Sequence, residues 1–277
     1  PIPAGATIRN FGGSTCGGDL IEVLRVSCNT AFAEMGAEWV GPEAMITTAE
    51  AFGFNRTPSI DLPSAAASRF PTDYGAPLAD VDRYRAPADE AGAGDETEPP
   101  GTVLPNGAVP VHEDSARLAQ TSIGQNDVAA TPLQMALVAA AIANGGEVMA
   151  PHVVTELIAA DGSTYEEVEP EIWRIAMRRS TAATLAEAMR VVATEGTARN
   201  LLVEGLEVGG KTGTAQLGTD PPNSHAWIVG FAGLPGAEPS LAFAVIVEAQ
   251  EGASEQTGGR VAAPIARAVI EAVFGSS

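Results

Sequence analysis

Apolar residues recur at helical spacing in the first fifty positions, after a turn-rich and irregular opening over residues 1–18. Asp19 is placed to cap a short helix that ends at residue 25. A second helix is predicted over 30–39 and a third over 43–52, separated by a Gly-Pro pair at 41–42. The chain therefore begins with short helices.

Residues 56–110 break this pattern, with many prolines, an acidic run over 89–98 and no lasting period. We expect long surface excursions here, mobile around 87–104. Clearly predicted helices and strands resume after this stretch, but no segment there looks like the start of a new hydrophobic core. The pattern therefore favours an insertion inside one domain spanning residues 1–277 rather than a linker between two domains.

The next region is predicted to hold a polar strand or turn over 122–126 and then a helix with a clear beginning. Thr131 caps it, Pro132 takes the first helical position, and Gln134 completes a capping box. The helix runs through residue 143 and is so apolar that most of its sides must be buried. A strand over 148–158, a tight turn over 161–163 and a helix over 181–194 follow.

The C-terminal third predicts a sheet. Apolar runs over 208–216, 226–232 and 241–249 are separated by Pro, Gly and Asn turns, as in an antiparallel meander. A last helix over 261–274 is expected to lay its large apolar side chains on that sheet, namely Ile265, Val269, Ile270 and Val273. Helices around an antiparallel sheet predict an α+β fold.

Charge and composition exclude several classes of function. A formal net charge of −20 argues against nucleic acid and anionic lipid as partners. The longest uninterrupted apolar run, 135–143, is too short to span a bilayer. No metal site is indicated, because His112, His152 and His225 are scattered, and no cofactor is expected. His225 is expected to pack beside the strand over 208–216. The two cysteines, Cys16 and Cys28, are either free thiols or a disulfide, which sequence alone leaves open.

The most informative stretch surrounds Lys211, the only lysine among the 15 Lys and Arg residues. On a strand, Thr212 and Thr214 present their hydroxyls on one face, and Lys211, at the strand's start, points to the opposite face. Gly213 lets another backbone approach closely. This arrangement suits a strand edge that receives an extended peptide ending in a carboxylate.

Two other interpretations of the stretch compete. Residues 205–212 match the phosphate-loop pattern G-x-x-x-x-G-K-[ST], but no helix can start after the lysine, because Thr, Gly and then two prolines follow. The other alternative is a Gly-rich strand entry with a solvated lysine.

Four motifs decide between them: Ser27-Cys28-Asn29, the segments 124–126 and 131–136, Lys211-Thr212-Gly213-Thr214, and His225-Ala226-Trp227 with Gly230-Phe231. In order and spacing the chain resembles the transpeptidase domain of monofunctional (class B type) penicillin-binding proteins, most of all the actinobacterial penicillin-binding protein A group. The resemblance covers residues 8–275 and implies a serine acyltransferase that cross-links D-Ala-D-Ala stem peptides and is acylated by β-lactams.

The resemblance also implies residue roles. Ser27 is expected to pass a proton towards the leaving amine, and Asn29 to hydrogen-bond the substrate backbone. Lys211 is expected to orient Ser27 and keep the site positive. Thr212, Gly213 and Thr214 form the binding strand, whose hydroxyls take the terminal carboxylate and whose Thr214 N–H supplies half of an oxyanion hole. A helix N-cap is the plainer alternative for Ser27 and Asn29.

One departure from the family pattern is decisive. The family's nucleophile lies in a Ser-x-x-Lys motif upstream of Ser-x-Asn, whereas the residue three before Lys211 is Val208. We expect the native protein to carry an N-terminal part of the domain that supplies this serine, so that residues 1–277 alone are inactive. That part would also cover the strand over 241–249, which otherwise presents an open apolar edge.

The alternatives within the fold are a D,D-carboxypeptidase or a β-lactamase; a non-catalytic module that binds β-lactams or muropeptides is a third. The resemblance implies stem peptides and β-lactams as ligands, division or elongation proteins as partners, and a place on the extracytoplasmic face of the cell membrane with an anchor outside this sequence. That location favours a disulfide between Cys16 and Cys28.

Overall fold

The structure, a computed structural model, describes residues 7–82, 108–220, 222–250 and 256–275. Its first helices lie close to the predicted positions: α1 (Leu20–Arg25), α2 (Asn29–Glu34) and α3 (Gly41–Ala51). Asp19 caps α1 by accepting the backbone N–H of Glu22 at 2.8 Å, as predicted. A π-helical segment, Met35–Val40, continues α2 as far as Gly41, where a φ of +78° allows the chain to turn into α3.

Residues 56–110 contain more regular structure than the prediction of irregular excursions allows. Strands β1 (Pro77–Asp82) and β2 (Ala108–His112) pair antiparallel. Arg69 forms a further isolated bridge with Ala129. The segment 87–104 that was predicted to be mobile lies outside the described residues, and the assignment of 56–110 as an insertion stays a prediction.

Two helices follow. The first, α4 (Ser115–Thr121), was not predicted, and α5 (Pro132–Ala143) was. Thr131 caps α5 by accepting the N–H of Gln134 at 3.1 Å, but the predicted capping box is only half formed. The Gln134 side chain instead donates to the carbonyl of Phe52 at 2.7 Å, and the Thr131 N–H donates to Ser68 Oγ at 3.0 Å. These bonds tie the start of α5 to the end of α3 and to the segment that follows α3.

The single strand predicted over 148–158 is wrong. The chain forms two separate short strands there, β3 (Glu147–Met149) and β4 (Glu156–Ile158). Pro151 lacks an N–H, and the N–H groups of Val153 and Val154 donate to the Asp61 carboxylate at 2.9 and 2.8 Å rather than to a neighbouring strand. Strands β5 (Thr164–Glu167) and β6 (Ile172–Ile175) pair with β4 and β3 respectively, the first across the predicted turn over 161–163.

The sheet that carries the lysine follows helix α6 (Arg179–Glu195). Strands β7 (Glu207–Gln216), β8 (Ser224–Gly233) and β9 (Leu241–Val247) form an antiparallel meander in that order, which confirms the predicted sheet and the α+β class. Lys211 lies in the middle of β7, opposite Val229, rather than at its start, and His225 lies beside β7, opposite Ala215. The phosphate-loop interpretation is therefore wrong. Within the described residues no strand covers the outer edge of β9.

The last helix, α7 (Gly258–Gly275), contacts the sheet with a different face from the predicted one. Ile270 is buried as expected, but Ile265, Val269 and Val273 are 47%, 43% and 50% exposed. The buried face otherwise consists of small residues, namely Ala262, Ala263 and Ala266. Small side chains allow the helix axis to approach the sheet closely, so helix and sheet pack tightly.

Both faces of the sheet are covered. Ile228 and Ala232 of β8 belong to the same buried cluster as the alanines of α7. Phe231 points to the opposite face, as strand alternation requires, and packs against Ala186 and Met189 of α6. Burial of large side chains such as Ile228 and Phe231 stabilises the sheet by about 1.5–3 kcal/mol each. This rigid support positions β7.

Candidate active site

Ser27 lies in the tight turn between α1 and α2. The N–H groups of Ser27 and Cys28 donate back to Leu24 and Val23 at 3.1 and 2.9 Å, which closes the end of α1. Ser27 has a φ of +58°, a left-handed conformation that costs a non-glycine residue roughly 1 kcal/mol. A residue held in this way against its backbone preference is a sign of a functional position.

Lys211 reaches this turn from a point 184 residues further along the chain. Its Nζ donates to Ser27 Oγ at 2.8 Å and to the carbonyl of Thr212 at 2.8 Å. Burial lowers the pKa of the Lys211 ammonium to about 8, because the charged form loses hydration. Lys211 is therefore mostly protonated at neutral pH, but it lies close to the range in which it can exchange a proton.

A cavity of 1190 Å³ opens in front of β7, and Ser27, Asn29, Thr212 and Thr214 all line it. The Thr212 hydroxyl is 2.7 Å from that of Thr197. Gly213, between the two threonines, lies opposite Trp227, where a Cβ would meet the Trp227 Cβ at 3.1 Å. The site therefore brings Ser27, Asn29, Thr212 and Thr214 to one cavity, with Lys211 bonded to Ser27, whereas Cys28 and Gly213 do not line it.

Residues 7–18 form a wall of the same cavity and are attached to the Ser-x-Asn turn. A disulfide joins Cys16 to Cys28, whose Cα atoms are 5.9 Å apart, and Cys28 is fully buried. The Asn29 side chain donates to the carbonyl of Arg9 at 3.2 Å, and Asn10 Oδ1 accepts the N–H of Thr30 at 3.1 Å. Asn29 is thus held against the wall while it faces the cavity.

The cavity contrasts with the acidic protein around it. Arg9 and Arg260 line it, and among the described residues that line it Glu22 is the only carboxylate. Glu22 is paired with Arg25 at 2.7 Å. Together with Lys211 behind the turn, this makes the site suitable for an anionic ligand in a chain of net charge −20.

Comparison with known proteins identifies the family of the chain. The family model of the penicillin binding protein transpeptidase domain matches residues 3–271. The chain belongs to this family. Peptidoglycan D,D-transpeptidase PbpA of Mycolicibacterium smegmatis is 37% identical to it over 282 residues. Stage V sporulation protein D of Bacillus subtilis is 33% identical over 251 residues, which cover 88% of this chain and 32% of that protein.

A solved structure shares the fold of this transpeptidase domain. Penicillin-binding protein A from Mycobacterium tuberculosis, as a penicillin G acyl-enzyme complex, matches with a TM-score of 0.73 and 35% identity. The match covers 99% of this chain and 54% of that one. The M. smegmatis protein is likewise matched over 99% of this chain but only 48% of its own length. The chain thus spans about half the length of these two mycobacterial relatives.

The transpeptidase domain also places residues in the cavity to which sequence reasoning assigned no role. Gln125, in the loop between α4 and α5, donates to the carbonyl of Thr214 at 3.0 Å. Thr197 and Arg260 line the cavity from the end of α6 and the start of α7. Gln125 belongs to a segment that carries the family resemblance, which is a weak signal. Thr197 and Arg260 follow glycines at element ends and carry no signal of their own.

Proposed function

We propose that the protein is a peptidoglycan D,D-transpeptidase, which joins D-Ala-D-Ala stem peptides through a serine acyl-enzyme and is acylated by β-lactams. The observation that carries the proposal is the bond of Lys211 Nζ to Ser27 Oγ, 2.8 Å long, beside a cavity lined by Thr212 and Thr214. Support also comes from the mycobacterial relative whose structure is a penicillin G acyl-enzyme complex.

Strand β7 binds the acyl donor in this proposal. The hydroxyls of Thr212 and Thr214 receive the C-terminal carboxylate, with the positive field of Lys211 behind them. Gly213, which has no side chain, adds no bulk to the strand between the two threonines. The N–H of Thr214 then points at the carbonyl oxygen of the penultimate residue and stabilises the oxyanion that develops there.

The chemistry needs a nucleophilic serine and its lysine base from a Ser-x-x-Lys segment, which residues 1–277 do not contain. The serine oxygen bonds to the carbonyl carbon, the peptide C–N bond breaks, and the leaving D-Ala amine takes up a proton through Ser27. Lys211 keeps the Ser27 hydroxyl oriented, and Asn29 holds the substrate backbone. The amine of a second stem then attacks the ester, which forms the cross-link and releases the serine.

The proposal places the protein in the cell envelope, at the extracytoplasmic face of the membrane, with division or elongation proteins as partners. An oxidising compartment suits the disulfide between Cys16 and Cys28. Of the helices in the described ranges, none combines the length and apolar composition needed to cross a bilayer.

Intact-mass measurement after incubation with excess penicillin tests the proposal. The protein encoded by the full gene should gain one penicillin mass, and peptide mapping should place it on a Ser-x-x-Lys serine. Residues 1–277 alone should gain none. A stable adduct on Ser27 would reverse the assignment of roles, and no adduct on either protein would favour a non-catalytic binding module.

A further inference from the structure

The side-chain amide of Gln125 occupies the outer edge of β7. Its Nε2 donates to the carbonyl of Thr214 at 3.0 Å, and its Oε1 accepts the N–H of Gln216 at 3.3 Å. A primary carboxamide carries a donor and an acceptor side by side, so one side chain can bond to both a backbone carbonyl and a backbone N–H. Gln125 therefore makes the bonds that the backbone of an added strand would make at this point.

The position of these bonds along β7 is informative. In an antiparallel ladder, successive residues direct their backbone groups to alternate sides of the strand. Because Gln125 bonds to the Thr214 carbonyl and the Gln216 N–H, the backbone groups of these two residues point away from β8. Those of Thr212, two residues before Thr214, point to the same side. The carbonyl of Thr212 is already bonded to Lys211 Nζ at 2.8 Å. In the free protein, the carbonyls of Thr212 and Thr214 on the outer edge of β7 thus both accept hydrogen bonds from side chains.

The loop that carries Gln125 holds it in place. The N–H of Gln125 donates to the carbonyl of Gln120 at 3.0 Å, and the Asn126 side chain donates to Gln120 Oε1 at 2.7 Å. Gly124 and Asn126 adopt positive φ values of +73° and +60°, which turn the chain on either side of Gln125. The carboxamide is thus presented to β7 by a preformed turn.

The following step rests on the proposed function. If the Thr214 N–H receives the carbonyl oxygen of the penultimate substrate residue, the N–H of that same residue is directed at the Thr214 carbonyl. This follows because a hydrogen-bonded antiparallel pair exchanges both bonds between the same two residues. The carbonyl of Thr214 is, however, the one to which Gln125 donates.

We propose that Gln125 competes with the acyl donor: in the free protein its carboxamide holds the Thr214 carbonyl that the substrate's peptide N–H must take, and it thereby sets the affinity for extended acyl donors. The substrate exchanges one neutral hydrogen bond for another at this carbonyl. Removing Gln125 removes the competitor and should tighten binding about 2- to 10-fold, the range expected for one such bond.

The test uses the protein encoded by the full gene and two peptides that end in D-Ala-D-Ala. One has an ordinary peptide N–H at the penultimate residue, and the other is N-methylated there and cannot donate to Thr214. Each peptide's inhibition constant is measured by competition against labelling with a fluorescent penicillin. The variants are Gln125→Leu and, as a control in the same loop, Asp127→Asn, whose side chain bonds to Arg117 rather than to β7.

Gln125→Leu should lower the inhibition constant of the ordinary peptide about 2- to 10-fold and leave that of the N-methyl peptide unchanged. Asp127→Asn should not separate the two peptides. Weaker binding of the ordinary peptide by Gln125→Leu, or an equal change for both peptides, would overturn the inference. Absence of penicillin labelling of the wild-type protein would instead defeat the proposed function, and the inference with it.

A measurement on the wild-type protein avoids any effect of the variant on folding. The side-chain NH₂ resonance of Gln125 should shift when the ordinary peptide binds, since the carboxamide leaves the Thr214 carbonyl. It should stay in place when the N-methyl peptide binds. A resonance that responds identically to both peptides would show that Gln125 keeps its bond.

Discussion

Lys211 carries its charge inside the fold without a carboxylate partner among the described residues. Its ammonium donates to two neutral oxygens, Ser27 Oγ and the carbonyl of Thr212. Neutral partners satisfy two of its three N–H donors but do not cancel the charge, so burial lowers the pKa from 10.5 to about 8. The site therefore accepts a loss of stability in order to place a cation beside Ser27.

This cost predicts a pH dependence of stability. Between pH 8 and 10.5 the unfolded chain binds more protons at this position than the folded protein, so the free energy of unfolding rises with pH across that window. Lys211→Met should remove the rise. Relative to wild type, the variant should therefore be more stable by about 3 kcal/mol below pH 8, with the gap closing towards pH 10.5.

Urea unfolding of both proteins across this pH range measures the effect. Arg260→Met, which removes an exposed cation from the same cavity, is the matched control and should leave the pH dependence unchanged. Parallel curves for wild type and Lys211→Met would show that the ammonium is hydrated in the folded state, contrary to the lowered pKa.

Among the elements, α7 shows how a small-residue face decides helix packing. Ile270 is fully buried against the sheet, whereas Ile265, of the same size and on the same helix, is 47% exposed. Ile270→Ala should lower the free energy of unfolding by about 2–5 kcal/mol, because it leaves a cavity at the interface with the sheet.

The matched variant Ile265→Ala should cost less than about 1 kcal/mol, since its side chain is half in solvent and alanine favours the helix. Thermal and chemical unfolding of the two variants give the comparison. Equal losses would mean that Ile265 is also covered in the protein, as the sequence pattern had predicted.

The same helix shows where prediction from sequence stops. The periodicity of α7 and the meander of β7 to β9 could be predicted because they depend on local alternation and on turn residues. The buried face of α7 could not, because it depends on the distance between helix and sheet, and alanines allow a closer approach than isoleucines. Gln134 illustrates the same limit: its capping role was predicted locally, but a carbonyl 82 residues away in sequence takes its side chain.

The residues of the candidate site could be predicted from the sequence, but the contacts that neighbouring residues make with them could not. Ser27, Asn29, Lys211, Thr212 and Thr214 were found from motif spacing. The structure brings all but Lys211 to the lining of one cavity, and Lys211 is bonded to Ser27. Their roles stay proposals. The contacts of Gln125 with β7 cross 89 residues of sequence and have no local pattern, so they became visible only in the fold.

At the scale of the whole molecule, the cavity is closed by a segment with little structure of its own. Residues 7–18 contain one short 3-10 turn, Phe11–Gly13, and no other regular element. They are held by the disulfide to Cys28 and by the bonds of Asn10 to Thr30 and of Asn29 to Arg9. The disulfide is the strongest of these ties, and its Cys28 stands between Ser27 and Asn29 in the sequence.

Reduction of this disulfide should therefore destabilise the domain and loosen the wall of the cavity. For a loop of 12 residues, loss of the cross-link is expected to lower the free energy of unfolding by about 3 kcal/mol. Melting temperatures with and without a phosphine reductant measure the loss, and thiol titration before and after treatment shows whether the bond was present and has been broken.

The double variant Cys16→Ala/Cys28→Ala is the control, and its melting temperature should not respond to the reductant. Hydrogen exchange separates the two consequences. In the reduced wild-type protein the amide of Thr30, bonded to Asn10 Oδ1, should lose protection, while the amides between β7 and β8 should keep theirs, since they do not depend on the wall. Loss of protection throughout the sheet would show that the disulfide supports the whole fold rather than one side of the site.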